Sequence, residues 1–196
     1  MKAILRSGFF ALAIMALAVP AHAGPFEDGL AAYNRGDYAT ALQVWRPLAE
    51  QGDARAQFNL SFMYEDGRGV SQNYAEAVKW YRRAALQGWA LAEYSLGQMH
   101  RDGQAVPQDY AEAAKWYRKA AEQGNAYAQY SLGLMYHDGV GAPQDIVQAH
   151  MWFDLAAAQG NVMAQENRNK AANNMTPDQI AEAQRMAREW MERHQQ

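Results

Sequence analysis

Residues 109–144 read DYAEAAKWYRKAAEQGNAYAQYSLGLMYHDGVGAPQ, and residues 73–108 read NYAEAVKWYRRAALQGWALAEYSLGQMHRDGQAVPQ. The two stretches superpose without a gap. Trp80 and Trp116 are 36 residues apart, as are Gly88 and Gly124, and the same step leads on to Trp152 and Gly160. A constant period of roughly 20 to 50 residues marks a stacked architecture, in which each unit is one supersecondary element that cannot bury its apolar face alone.

Each unit reads as two helices. In the first, Ala56, Leu60 and Met63 recur as Ala92, Leu96, Met99 and as Ala128, Leu132, Met135. The i, i+4, i+7 spacing puts each trio on one buried face. Gly67, Gly103 and Gly139 end that helix, and a short loop leads to Asn73, Asp109 or Asp145, each suited to cap a helix N-terminus. Glu76 and Glu112, three residues on, complete the pattern of a capping box. The second helix carries Tyr74, Ala77, Tyr81 and Ala84, or Tyr110, Ala113, Tyr117 and Ala120, and closes at Gly88, Gly124 and Gly160. The Ala-Ala pairs at 84–85, 120–121 and 156–157, with Gly97 and Gly133, let neighbouring helices approach closely while Trp and Tyr fill the gaps.

The reading that follows is all-α: an α-α solenoid with units at 53–88, 89–124 and 125–160. Residues 24–52 are a diverged leading helix pair, with Pro47 expected to bend or shorten its second helix. Residues 161–196 are capping helices. Arg168 stands where Leu60, Leu96 and Leu132 predict a fourth leucine, and polar residues surround it, as a solvent-facing end requires. Thr176-Pro177-Asp178-Gln179 then starts a closing helix whose apolar face is Ile180, Ala183, Ala187 and Trp190, with Met175 and Ile180 as a hydrophobic staple.

Lys2 and Arg6, the apolar run 8–19 and the small residues Ala21 and Ala23 form a secretory signal peptide, with cleavage expected between Ala23 and Gly24. The run is shorter than the roughly 20 residues a bilayer needs. The expected location is periplasmic or secreted, with no membrane span after cleavage. The chain has no cysteine, so an exported protein of this sequence relies on packing instead of disulfides. Without Lys2 and Arg6, 16 basic side chains face 21 acidic ones, a formal charge of −5. That balance argues against nucleic acid and anionic membrane surfaces as partners.

The runs AQYSLGLMYHDGVGAPQD and YAEAAKWYRKAAEQG resemble the Sel-1-like repeat, a helix-turn-helix unit related to the tetratricopeptide repeat. The resemblance covers Asp53 to Gly160 closely and the flanks more loosely. It implies a right-handed superhelix whose concave side is lined by the first helix of each pair. It also implies a protein-binding adaptor, associated in exported bacterial members with the cell envelope or host contact. One branch of the family is linked to β-lactam binding and carries paired cysteines in each repeat, which this chain lacks.

Few residues suggest chemistry. There is no HExxH, GxSxG, Walker loop or Cys nucleophile, and no serine has a lysine three residues on. His100 and His137, near Asp102 and Asp138, make a metal site conceivable, but His100 occupies a repeat position held elsewhere by Tyr64 and Tyr136, which points to packing or surface. No catalytic residue, metal or cofactor is expected. The expected function is a scaffold binding a protein or peptide. The alternatives are a cell-wall module that binds peptidoglycan or regulates a wall enzyme, and a β-lactamase-like hydrolase. A monomer is expected.

Beside the buried stripe of each first helix runs a second line: Phe58, Phe62, Glu65; Tyr94, Gln98, Arg101; Tyr130, Leu134, His137. Each follows i, i+4, i+7, so the three stack into one inner wall with an aromatic row and changing polarity beside it. Such a wall suits an extended peptide or a helix laid in a groove. The competing reading is that Phe58, Tyr94 and Tyr130 only fill gaps between helices. Trp89 breaks the series of cap residues Asp53, Asn125 and Asn161, and is either packed over its loop or an exposed anchor.

Overall fold

The computed structural model describes residues 24–194. The expected signal peptide and its cleavage site after Ala23 lie outside the described residues. Ten helices and no strand make up the described chain: α1 (Pro25–Asn34), α2 (Tyr38–Glu50), α3 (Ala54–Asp66), α4 (Tyr74–Ala85), α5 (Ala90–Asp102), α6 (Tyr110–Glu122), α7 (Ala126–Asp138), α8 (Ile146–Ala158), α9 (Val162–Ala172) and α10 (Pro177–His194).

The chain is an α-solenoid. Each helix from α1 to α9 packs on the next in sequence, and the main departure is α10, which folds back on α8. The core follows this order as a string of linked clusters. Trp45, Leu60 and Met63 centre one, Tyr81, Leu96 and Met99 the next, and Tyr117, Leu132, Trp152 and Leu155 a third that also takes in Ala183 and Ala187 of α10. Trp190 meets Trp152 edge-on, with ring centroids 6.5 Å apart. The polar helix α9 stays largely exposed at the end of the first-helix row.

Local chemistry sets the helix ends. Asp53, Asn125 and Asn161 cap α3, α7 and α9 through their side chains, and Asn73, Asp109 and Asp145 cap α4, α6 and α8. At α4 and α6 only half of the expected capping box forms. Glu76 and Glu112 pair with Lys79 and Lys115, because the cap amides of Asn73 and Asp109 already donate to the carbonyls of Tyr64 and His100. At Thr176 the box is complete: Thr176 N–H donates to Gln179 Oε1 and Gln179 N–H to Thr176 Oγ1. Pro47 does not shorten α2, which runs on to Glu50.

Close approach of first and second helices depends on two glycines. An ideal Cβ on Gly97 would stand 2.5 Å from Tyr117 Cδ1, and one on Gly133 2.6 Å from Phe153 Cδ1. Removing the side chain lets a ring lie flat on the facing backbone.

Candidate functional site: the trough along the first helices

The aromatic row of the first helices is partly structural. Phe58 lies 5.8 Å from Tyr81, Tyr94 5.6 Å from Tyr117, and Tyr130 5.9 Å from Phe153, centroid to centroid. Each ring therefore anchors a first helix to the second helix of its own unit, and Tyr94 and Tyr130 also reach the adjacent first helix, through Tyr127 of α7 and Asn167 of α9. Each also has a second side. Phe58 turns that side to Trp89 at 6.5 Å, and Tyr94 turns it to Tyr127 at 6.0 Å. Trp89 is thus packed at the α4–α5 turn, and α5 has no side-chain cap.

The nine wall residues do not form one continuous surface. Glu65 accepts a hydrogen bond from the Tyr81 hydroxyl at 2.5 Å, and Phe62 lies under the Arg68 guanidinium, 5.4 Å from its ring centre. Phe58, Phe62, Glu65 and Gln98 do not border the trough that the other wall residues form.

Four of the nine do converge. Tyr94, Arg101, Tyr130 and Leu134 line an open trough of about 560 Å³ between α5, α7 and the start of α9. Tyr127, Val162 and Met163 complete it, and they are 64%, 66% and 60% exposed, large apolar side chains held in water. Leu134 and His137 also border a second hollow of about 290 Å³ with Asn167 and Lys170. Tyr130 is fixed at its hydroxyl by Asn167 Nδ2, 3.1 Å away.

Sequence reasoning missed Tyr127, Val162 and Met163. A signal existed: Arg55, Leu91, Tyr127 and Met163 share one repeat position, and three of the four are apolar in the first turn of a helix. Leu91, Tyr127 and Met163 are all exposed, so core packing does not account for them.

A third cavity, about 190 Å³, opens beside the trough and shares Arg101, Ser131 and Leu134 with it. Tyr117 lines it with its hydroxyl buried and without a hydrogen-bond partner. Burial raises the Tyr117 pKa above the ordinary phenol value, with the nearby Arg101 charge opposing. Arg101 is held by Asp102, Nε to Oδ1 at 2.7 Å and Nη2 to Oδ2 at 2.8 Å, which raises its pKa further.

The described residues offer little for covalent chemistry. No group of three or more His, Asp or Glu side chains is placed to hold a metal, and no described helix is long and apolar enough to cross a membrane. His100 keeps its Nδ1 buried without a partner, and His137 Nδ1 contacts Asp138 Oδ1 at 2.6 Å. His150 is buried in α8 and desolvation lowers its pKa, so it is a packed imidazole inside the stack.

The Sel1 repeat family model matches three times in tandem, at residues 54–89, 90–125 and 126–161. The chain belongs to the Sel1 repeat family. Among solved structures, a Sel1 repeat protein from Oxalobacter formigenes is 32% identical with a TM-score of 0.71, over 73% of this chain and 59% of that one. A protective antigen of uropathogenic Escherichia coli with an SLR fold is 30% identical with a TM-score of 0.63, over 87% of this chain and 45% of that one. This Sel1 repeat chain therefore spans less than two thirds of the length of either. Helicobacter pylori cysteine-rich protein B, at 22% identity and a TM-score of 0.53, shares the fold. A comparison with curated proteins gave no match. Sel1 repeat proteins are in general protein–protein interaction scaffolds.

Proposed function

We propose that this Sel1 repeat protein is an exported, non-enzymatic scaffold that binds a protein through an extended segment laid in the trough of α5, α7 and α9. The observation that carries the reading is the exposure of Tyr127, Val162 and Met163 around a cleft floored by Tyr94, Tyr130 and Leu134. Large apolar side chains gathered at a concave surface mark an interaction site. Aromatic anchors with a charged side chain at one end match the composition of binding hot spots. Export is supported by the basic, apolar and small-residue succession of the first 23 residues.

The test uses the exposed rim, because Tyr94 and Tyr130 also hold the fold together. Partners captured from an envelope extract are to be compared between wild type and Tyr127→Ala combined with Met163→Ser. Loss of a specific protein partner, with unchanged helical content and melting temperature, is expected. A partner held equally well by the double variant would remove the trough from the reading.

A further inference from the structure

Two repeat positions that touch across the helix pair change out of step along the stack. Residues 81, 117 and 153 are Tyr, Tyr and Phe, while residues 65, 101 and 137 are Glu, Arg and His. In the first unit the pair is closed, since the Tyr81 hydroxyl donates to Glu65 Oε2. In the third, Phe153 has no hydroxyl to satisfy. Only the middle unit is open: Tyr117 keeps a fully buried hydroxyl, and the carboxylate that would accept its hydrogen is replaced by Arg101, which carries no acceptor. The Ser131 hydroxyl is near it but makes no hydrogen bond to it, and a buried donor left without the carboxylate of the first unit is costly, so its persistence calls for a reason.

The surroundings of that hydroxyl fit a ligand. The 190 Å³ cavity has Arg101 as a further donor, the Ser131 hydroxyl near Tyr117 as a group that can donate or accept, and Tyr110, Leu134, Met135 and Val140 as an apolar lining. Asp138 also borders it, but its carboxylate is engaged by His137. One unit earlier, Asp102 holds the same repeat position and is engaged by Arg101, and Glu65 is accommodated there. The molecule thus contains its own example of a carboxylate in this setting.

We infer that the cavity beside the trough receives an aspartate or glutamate side chain of the bound partner, which takes the hydrogen of Tyr117, as Glu65 does from Tyr81, and pairs with Arg101. The inference rests on the trough reading and adds the chemistry of the occupant. Arg101 has N–H groups beyond the two that Asp102 uses, so it can hold both carboxylates. Charge-assisted bonds in a desolvated cleft give the partner its register, while the apolar rim supplies contact area.

The experiment selects random displayed peptides on the purified protein and measures the best binders as synthetic pairs, each with its acidic residue as Glu or as Gln. The expected result is enrichment of peptides with one acidic residue amid apolar ones, and an about tenfold weaker Gln form. Tyr117→Phe should weaken both forms and narrow the Glu-over-Gln preference, Arg101 supplying what remains of it. Arg101→Glu should abolish or reverse the preference, since it removes the pairing cation and places the chain's own carboxylate on Tyr117, with the fold intact as in the first unit. Peptides that bind through Tyr127 and Met163 with no acidic preference, or with a preference unmoved by both variants, would overturn the carboxylate site and leave the trough standing. Failure to enrich any peptide would overturn both.

Discussion

Gln123 Nε2 donates to Glu93 Oε2 across 2.6 Å, at a point where both flanking units use a pair of amides. Gln87 meets Gln57 and Gln159 meets Gln129 in the same way, each at 2.8 Å. The amides at 57 and 129 pass the bond on, donating to the carbonyls of Ala49 and Ala121 and tying each first helix to the unit before it. Ionised Glu93 has no hydrogen to offer the equivalent carbonyl of Ala85. Burial is the largest influence on Glu93 and raises its pKa, against the opposing Lys119 charge and the Gln123 hydrogen bond, with Glu122 adding to the rise.

Glu93→Gln should therefore stabilise the protein at neutral pH by about 1–2 kcal/mol, since it restores a donor to a buried site. The folded-state pKa lies above the unfolded one, so the folded wild type binds more protons in that window and loses stability as pH rises through it. The advantage of the variant should shrink as pH is lowered toward the ordinary glutamate value of 4.5. Urea denaturation of both proteins across that range measures it, and a gap that does not change with pH would contradict the assignment.

Tyr81 and Tyr117 should respond differently to the loss of a hydroxyl. Tyr81→Phe breaks a bond to a carboxylate and should cost about 1.5–3 kcal/mol, whereas Tyr117→Phe removes an unpaired group and should fall within about 0.5 kcal/mol of wild type or above it. Chemical denaturation of the two single variants checks this. Equal losses would mean that the Tyr117 hydroxyl has an acceptor.

Gly133→Ala drives a methyl group against the Phe153 ring and should destabilise by about 1–3 kcal/mol, with Phe153→Leu recovering part of the loss in a double-mutant cycle. Ser61 holds the equivalent place in the first unit, so the helix pair has some room to open. Independent, additive losses would show that the ring and the glycine do not press on one another.

Much of this architecture was legible because the repeat reports packing directly. A residue kept in phase, such as Gly97 with Gly133 or Ala84 with Ala120, has the same neighbours each time. The site was less legible because it depends on what breaks phase. Phe58, Tyr94 and Tyr130 share a position and an anchoring contact, yet only the latter two border the trough, since Trp89 covers Phe58. The orphaned hydroxyl of Tyr117 shows only when positions 65 and 81 are known to touch, and they lie on different helices, 16 residues apart. Spacing within one helix carries no trace of that contact.

Ala105 has φ +58°, at the repeat position where Gly69 and Gly141 have φ +71° and +74°. The left-handed region costs a residue with a Cβ roughly 1–2 kcal/mol, and glycine's greater freedom in the unfolded chain offsets part of that. Ala105→Gly should raise stability by about 0.5–1 kcal/mol. The reverse change at the equivalent site is not its mirror image. A Cβ on Gly141 would lie 2.2 Å from the carbonyl oxygen of Tyr110, so Gly141→Ala adds a backbone clash to the strain and should cost more than Ala105→Gly gains. Denaturation midpoints of the two variants decide it: equal and opposite shifts would mean that torsion alone sets the loop, and a larger loss at 141 that the loop is pressed onto the start of α6.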